Sequence, residues 1–390
     1  MRRTLLAMAA IVVAPFAVAD FALASGYQDF NAGAAAGNRG DTDAAIAAMT
    51  RALSAADLPD HLRATALLGR GEAYAQKKQF DAAVSDYSLA LKLRPDDIGI
   101  LLNRAIALRL GDRLEPSLAD EDAAIRLRPY YVPAYLQRMA TDDALGRYAD
   151  EMADCNTLLA DWPEDKAAFL ADRAQVYLRL AKYEQAETDA SDAIDANSKT
   201  ADVYVIRARA RILSDSLDRA QHDLDRALEI DENDASALDT RGLVEWDLGA
   251  FDRAAADFRS ALKHNSADAY AALGLQITKF KSNAMPDGEL AASAAALDLK
   301  AWSGLLTAFY LGRLSESDLG AAAAVGSAPQ QALRNCEREF FVGEWKLAHA
   351  DPAGGTALLA RAAAICSPDG LVRESARADL KRMQTAGNAP

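Results

Sequence analysis

Residues 64–97 read ATALLGRGEAYAQKKQFDAAVSDYSLALKLRPDD. Leu67, Gly71 and Tyr74 fall on one helical face. After a break near Lys78 and Gln79, Ala83, Tyr87 and Ala90 fall on another, and Pro95 stops this second helix. The stretch is a helical hairpin. The small residue at Gly71, expected to face Ala83, lets the two helices approach closely.

The hairpin recurs. From Arg70-Gly71 the matching pairs are Arg104-Ala105, Arg138-Met139, Arg173-Ala174, Arg207-Ala208 and Arg241-Gly242, at spacings of 34, 34, 35, 34 and 34 residues. Sixteen residues after each arginine stands an aspartate: Asp86, Asp120, Asp154, Asp189, Asp223 and Asp257. A fixed period in this range marks a repeat array. A guanidinium fork matches a carboxylate bidentately. The expectation is therefore a ladder of structural ion pairs, either within a repeat or from one repeat to the next. The other reading is a row of arginines that binds a ligand.

Leu67, Gly71, Tyr74, Ala83, Tyr87, Ala90 and Pro95 resemble the signature of the tetratricopeptide repeat. Residues 235–268 match through Leu238, Gly242, Ala254, Phe258 and Ala261. The repeats between depart from the pattern: Asp142 stands where an aromatic residue is usual, and Glu121 where a large apolar one is. The resemblance implies an all-α chain, a right-handed superhelical solenoid of tetratricopeptide-type helical hairpins. In that family the first helices line a concave face that binds other proteins. Carried over by position, the face holds Leu68, Glu72, Leu102, Ile106, Arg109, Gln175, Arg179, Arg209, Trp246, Tyr270 and Phe280. Of these, Arg109, Gln175, Arg179, Arg209, Trp246, Tyr270 and Phe280 are the candidate partner-binding residues, with Trp, Tyr and Arg the usual anchors. The bland reading is that the aromatic residues pack between repeats. The subclass that clamps a C-terminal carboxylate is not matched, since Asn103 stands alone.

Residues 1–24 read as a signal peptide. Arg2 and Arg3 precede an apolar run from Leu5 to Val18, and Ala22-Leu23-Ala24 before Ser25 suits cleavage. Ala17-Val18-Ala19 is the alternative cut, and retention as an anchor the alternative fate. The run is shorter than the roughly 20 residues a span needs. The first cysteine is Cys155, too far on for an N-terminal lipid anchor. The formal charge is −14, and removal of residues 1–24 makes it one unit more negative. That balance excludes nucleic acid and anionic membrane surfaces as primary partners.

The remaining chain divides by phase. Residues 25–268 form the repeat array, a degenerate first hairpin with a turn at Gly40-Asp41 followed by six repeats. No Gly-, Ser- or Pro-rich linker splits it, so one continuous solenoid is expected. Residues 269–384 are divergent helical repeats with a capping helix: an alanine-rich helix at 289–297, an apolar one at 299–313, a short one from Ser315, a hairpin of 330–349 and 354–366, and a final helix at 370–384. Residues 385–390 are expected to be a disordered tail. Cys336 and Cys366 lie nearly equidistant from the turn of the last hairpin. In an oxidising compartment they form a disulfide; the other reading is two unlinked thiols. Cys155 reads as a buried thiol.

Chemistry is absent from the pattern. The four histidines, His61, His222, His264 and His349, are scattered, with no metal-ligand spacing. No phosphate loop, serine elbow or Cys–His order occurs. Asp120-Glu121-Asp122 reads as one ion-pair partner beside two solvated charges. The expectation is a protein that is not an enzyme and takes no cofactor or metal.

A narrower resemblance comes from the ends. The split first repeat with its long link, AWSGLLTAFYLGRLSESDL at 301–319 and EREFFVGEWKL at 337–347 are similar to the new lipoprotein I family of the bacterial envelope. That family is a periplasmic adaptor that presents cell-wall hydrolases to a processing protease. The resemblance implies an exported, periplasmic scaffold or adaptor for envelope proteases or peptidoglycan enzymes. The alternative is an assembly factor without adaptor activity. This chain departs from the family in lacking the lipid-anchor cysteine, adding central repeats and carrying the Cys336–Cys366 pair.

Overall fold

The computed structural model describes residues 25–196, 199–282, 284, 288–367 and 371–387. The expected signal segment, residues 285–287 of the expected turn, Pro368 and residues 388–390 lie outside them. Among the described residues every regular element is helical, and they fall into two compact units, which divide after Pro163.

The first unit holds four hairpins: α1 (Ser25–Asn38) with α2 (Thr42–Ser54), α3 (Asp60–Gln76) with α4 (Phe80–Leu93), α5 (Ile98–Leu110) with α6 (Leu114–Leu127), and α7 (Val132–Leu145) with α8 (Tyr148–Asp161). The second unit continues with α9 (Lys166–Arg179), α10 (Tyr183–Asp195), α11 (Ala201–Leu213), α12 (Leu217–Ile230), α13 (Ala235–Asp247), α14 (Phe251–His264) and α15 (Ala269–Lys281). Within each unit a first helix packs on its own second helix and on the next first helix: α1 on α3, α3 on α5 and α5 on α7, then α9 on α11, α11 on α13 and α13 on α15. First helices that touch along the row lie on the inner side of the stack. No single hairpin buries its apolar face alone, so the core of each unit runs from one repeat to the next.

The turns share one device. Lys78, Asp112, Gly146, Ala181, Asp215 and Gly249 all take the left-handed conformation, with φ of 53–77°. The following N–H then bonds back to the carbonyl five residues earlier, as Gln79 does to Tyr74 and Ala250 to Glu245, 2.9 and 2.8 Å. This closes the first helix and turns the chain into the second. Gly71 meets the ring of Tyr87 rather than Ala83: a Cβ there would lie 2.6 Å from the ring. Phe258 is wedged in the same way between Gly242 of its own hairpin and Gly274 of the next.

The six arginines act both within and between repeats. In each hairpin Nε and Nη2 clasp both oxygens of the aspartate sixteen residues on, at 2.6–3.0 Å. The third nitrogen, Nη1, reaches back to the second helix of the preceding hairpin. It meets Thr50 from Arg70, Ser88 from Arg104, Asp122 from Arg138, Ser191 from Arg207 and Asp225 from Arg241, at 2.7–3.2 Å. Asp122 is thus an ion-pair partner as well as the solvated charge the sequence suggests, its side chain being 45% exposed.

Past α15 the next three helices are short. The alanine-rich segment is helical only as α16 (Glu289–Ser293), not over 289–297. The apolar one is α17 (Trp302–Tyr310), not 299–313, because the backbone of Asp298 and Leu299 crosses Gly304, where a Cβ would lie 2.1 Å from the Asp298 carbonyl oxygen. Then come α18 (Glu316–Ala323), α19 (Ala328–Ala348) and α20 (Pro352–Ile365). The last helix, α21 (Leu371–Gly387), runs into the stretch expected to be a disordered tail. It packs on α20 and α19 and returns to α13 and α11. Cys336 and Cys366 hold their sulfurs 2.10 Å apart across the α19–α20 hairpin, and Cys155 is buried and outside the disulfide.

Two rungs of the ladder allow a graded test. The Asp223 side chain has 0% exposure and also accepts from Arg211 at 2.6 Å, whereas that of Asp257 is 11% exposed and serves Arg241 alone among its recorded ion pairs. Asp223→Ala, which removes the fork partner of Arg207 and one of the two carboxylates of Arg211 (Glu187 stays 3.0 Å from it), is expected to cost about 3–5 kcal/mol, and Asp257→Ala distinctly less. Urea denaturation of the two variants checks the order; equal losses would contradict it.

Candidate protein-binding surfaces

In the first unit the inner face is carried by α3, α5 and α7. Leu68, Leu102 and Leu136 occupy the same position in successive repeats, two residues before the ladder arginine, and Leu136 is exposed. Beside them the polar side chains are tied to one another. Asn103 Nδ2 donates to Glu72 Oε1 at 3.4 Å, and Arg109 Nη2 to Gln137 Oε1 at 2.8 Å. Burial pushes the Glu72 carboxyl up and draws the Arg109 guanidinium down, the latter against the pull of Glu121. Ile106 is half-buried. The sequence reading missed Gln137. Its signal was available: Gln137 and Asn103 each stand one residue before the ladder arginine.

In the second unit Gln175 and Arg209 are half-buried on α9 and α11, and Arg179 is exposed at the end of α9. The three aromatic candidates do not form an open surface, because the chain's own later helices meet them. Trp246 is 1% exposed; its Nε1 donates to Asp379 Oδ2 of α21 at 3.0 Å, and its ring lies 5.9 Å from Phe340. Its expected place as a free anchor is therefore corrected. Tyr270 keeps 38% exposure, but its hydroxyl sits 3.0 Å from both oxygens of Glu337 on α19. Burial pushes that hydroxyl far above its ordinary value. Phe280 is half-buried with its ring edge-on to His349, 5.7 Å away, and His349 stacks on Trp345.

The family model for the tetratricopeptide repeat matches residues 64–97. The chain thus carries a tetratricopeptide repeat at these residues, within an all-helical repeat fold. It is 25% identical over 231 residues to the mitochondrial import receptor subunit TOM70 of Homo sapiens, a match over 57% of this chain and 38% of that protein. It is 26% identical over 234 residues to Hsp70-Hsp90 organizing protein 1 of Glycine max, over 50% of this chain and 40% of that protein. The chain thus spans about two fifths of the length of these relatives. A solved tetratricopeptide repeat protein from Parabacteroides merdae superposes with a TM-score of 0.57 at 20% identity, over 65% of this chain and 98% of that one, which shows a shared fold. Tetratricopeptide-repeat proteins bind other proteins. Among the described residues no group of three or more His, Cys, Asp or Glu could hold a metal ion, and no helix is long and apolar enough to cross a membrane.

The departures from the tetratricopeptide pattern come together in space. Glu121, expected to be solvated, has 0% exposure. Its Oε1 lies 2.7 Å from the hydroxyl of Thr141 and 3.1 Å from that of Ser117, both buried. Burial pushes its carboxyl up to about 7, and that of nearby Asp142 up to about 6. A carboxylic acid and two hydroxyl groups thus meet between α6 and α7, and the charge of Arg109 opposes the upward shift of Glu121.

The sign of the resulting pH dependence follows. Between its ordinary value of 4.5 and about 7, Glu121 holds a proton in the folded chain that the unfolded chain has lost. Stability from this group is therefore present at acidic pH and falls as pH rises through that window. The loss is up to about 3 kcal/mol. Hydrogen exchange of α5–α7 amides at about pH 5 and about pH 8, corrected for intrinsic rates, is expected to show it, and Glu121→Gln to flatten it. An unchanged slope in the variant would remove Glu121 as the source.

Proposed function

We propose that this chain is an exported, non-catalytic adaptor that binds envelope proteins through the inner faces of its repeats. The supporting observation is the inner face of the first unit: a repeated leucine position, exposed at Leu136, runs beside the Glu72–Asn103 and Arg109–Gln137 pairs. Apolar contact beside fixed polar groups suits recognition of a protein segment. Export rests on the signal-like sequence of residues 1–24 and on the pairing of Cys336 with Cys366. The finer reading, presentation of peptidoglycan hydrolases to a processing protease, rests on the similarity of residues 301–319 and 337–347 to the envelope adaptor family. An oxidising compartment would maintain the disulfide, which closes a separation of 30 residues and contributes roughly 3–4 kcal/mol in the chain-entropy model.

Two measurements test this. Crosslinked capture from envelope extract, paired with envelope proteomes of cells with and without the protein, is expected to retrieve a protease together with a hydrolase that accumulates in its absence. Partners captured with no change in any abundance would leave an assembly factor, and no partner would end the proposal. Thiol titration of denatured, unreduced protein is expected to find one reactive thiol, Cys155, among the three cysteines. Three reactive thiols would count against export.

A further inference from the structure

We infer that the inner face of α11, α13 and α15 is a helix-binding site, and that the C-terminal helix α21 fills it as an internal ligand. This rests on the protein-binding reading above, extended to the second unit.

The first ground is position. After packing on α20, α21 returns to α13 and α11, the first helices that line the inner side of this unit. Trp246 is read from the sequence as an inner-face anchor, and α21 covers it together with Phe340 of α19.

The second ground is how α21 is held. Asp379 is the hub. It accepts from Trp246 Nε1 at 3.0 Å, from Lys281 Nζ of α15 at 3.0 Å and from Arg382 one turn on. Lys281 also reaches Glu344 of α19 at 2.7 Å, and Arg382 Nη1 donates to the Asp247 carbonyl at 2.7 Å. The apolar share is small: Ala376 is fully buried in the core, while Val372, Leu380 and Met383 are only partly buried. The repeats themselves stack through apolar wedges such as Phe258 between Gly242 and Gly274. An anchor carboxylate received by a tryptophan and a lysine, with an arginine beside it, is the composition of an interface hot spot.

The third ground is that α21 is the last helix and follows a hairpin that is closed on its own. The Cys336–Cys366 pair ties both ends of the α19–α20 hairpin together, and Cys366 precedes Leu371. The seated face of α21 then runs through Val372, Ser375, Ala376, Asp379, Arg382 and Met383. That is the i, i+3, i+4, i+7 spacing of an amphipathic helix laid in a groove.

The occupant's chemistry defines the partner's. The site takes an amphipathic helix with small residues one turn before an aspartate and an arginine three residues after it. A partner helix of this kind competes with α21, so its apparent affinity is reduced by the fraction of chains in which α21 is seated.

The test uses the full chain with a protease recognition sequence inserted between Ser367 and Leu371, and a fluorescent synthetic peptide of residues 371–390. After cleavage the peptide is expected to bind saturably by anisotropy and to be competed by unlabelled peptide. The Asp379→Ala peptide is expected to bind at least about tenfold more weakly. The uncut chain is expected to take up no more than a small fraction. The inference is overturned if the cut chain takes up no peptide in large excess, or if cleavage abolishes cooperative unfolding of the second unit. Native-state hydrogen exchange on the unmodified chain gives an independent reading. Amides of α21 exchanging at least about tenfold faster than those of α13 indicate separate opening; equal rates indicate a core helix and sink the idea. Neither assay needs an external partner, so either can fail while capture from extract still succeeds.

Discussion

The structure depends on one charged contact used six times. Each ladder arginine spends two nitrogens on the aspartate of its own hairpin and, in five recorded cases, the third on the hairpin before. The fork fixes the distance between first and second helix. The third bond fixes the register of one hairpin on the next. Lysine could do neither job as well, because its ammonium has no rigid fork. Most of these aspartates are buried, so each rung contributes to specificity of stacking by making a misplaced repeat leave a charge unpaired. A repeat array otherwise has many nearly equivalent ways to slip, since its apolar wedges are much alike.

That contact also explains where variation is tolerated. With spacing and register held by the ladder and by the left-handed turn at Lys78, Asp112, Gly146, Ala181, Asp215 and Gly249, a single apolar contact can be given up. The α6–α7 pair does so. Glu121 stands where the repeat pattern wants a large apolar residue, and the hydroxyl groups of Thr141 and Ser117 close a buried polar cluster around it. The cost is not removed; it appears as a carboxyl that keeps its proton to about 7. The repeat survives because Arg104–Asp120 and Arg138–Asp154 flank the cluster on either side.

The hairpins were legible because period and helical phase are local properties of the chain. Arg70 to Asp86 is a fixed offset, and an offset repeated six times implies a geometric partner. The acceptor of Nη1 was less visible, because Thr50, Ser88, Asp122, Ser191 and Asp225 share position but not residue type. The extent of α17 was hidden for another reason: Asp298 and Leu299 fold back over Gly304, a contact that no helical periodicity encodes. On the inner faces the sequence marked Trp246, Tyr270 and Phe280 by type, and types alone do not say who fills a groove. Asp379 lies 133 residues from Trp246, so no repeat-based reading links them.

The two units therefore present their inner faces differently, and the difference is one of partners rather than of residues. In the first unit the polar side chains are held by neighbours on adjacent first helices, as Arg109 is by Gln137, and a leucine at the shared position stays exposed. In the second the equivalent faces are met by α19 and α21, and Tyr270, Phe280 and Trp246 each have an intramolecular counterpart. An aromatic residue on a first helix is equally suited to both situations: it offers a large apolar body and, in Trp and Tyr, one polar atom that must be satisfied. What separates a binding anchor from a core residue is who satisfies that atom. For Trp246 it is a carboxylate on the last helix of the same chain, and the character of this unit's surface follows from how firmly that one helix is held.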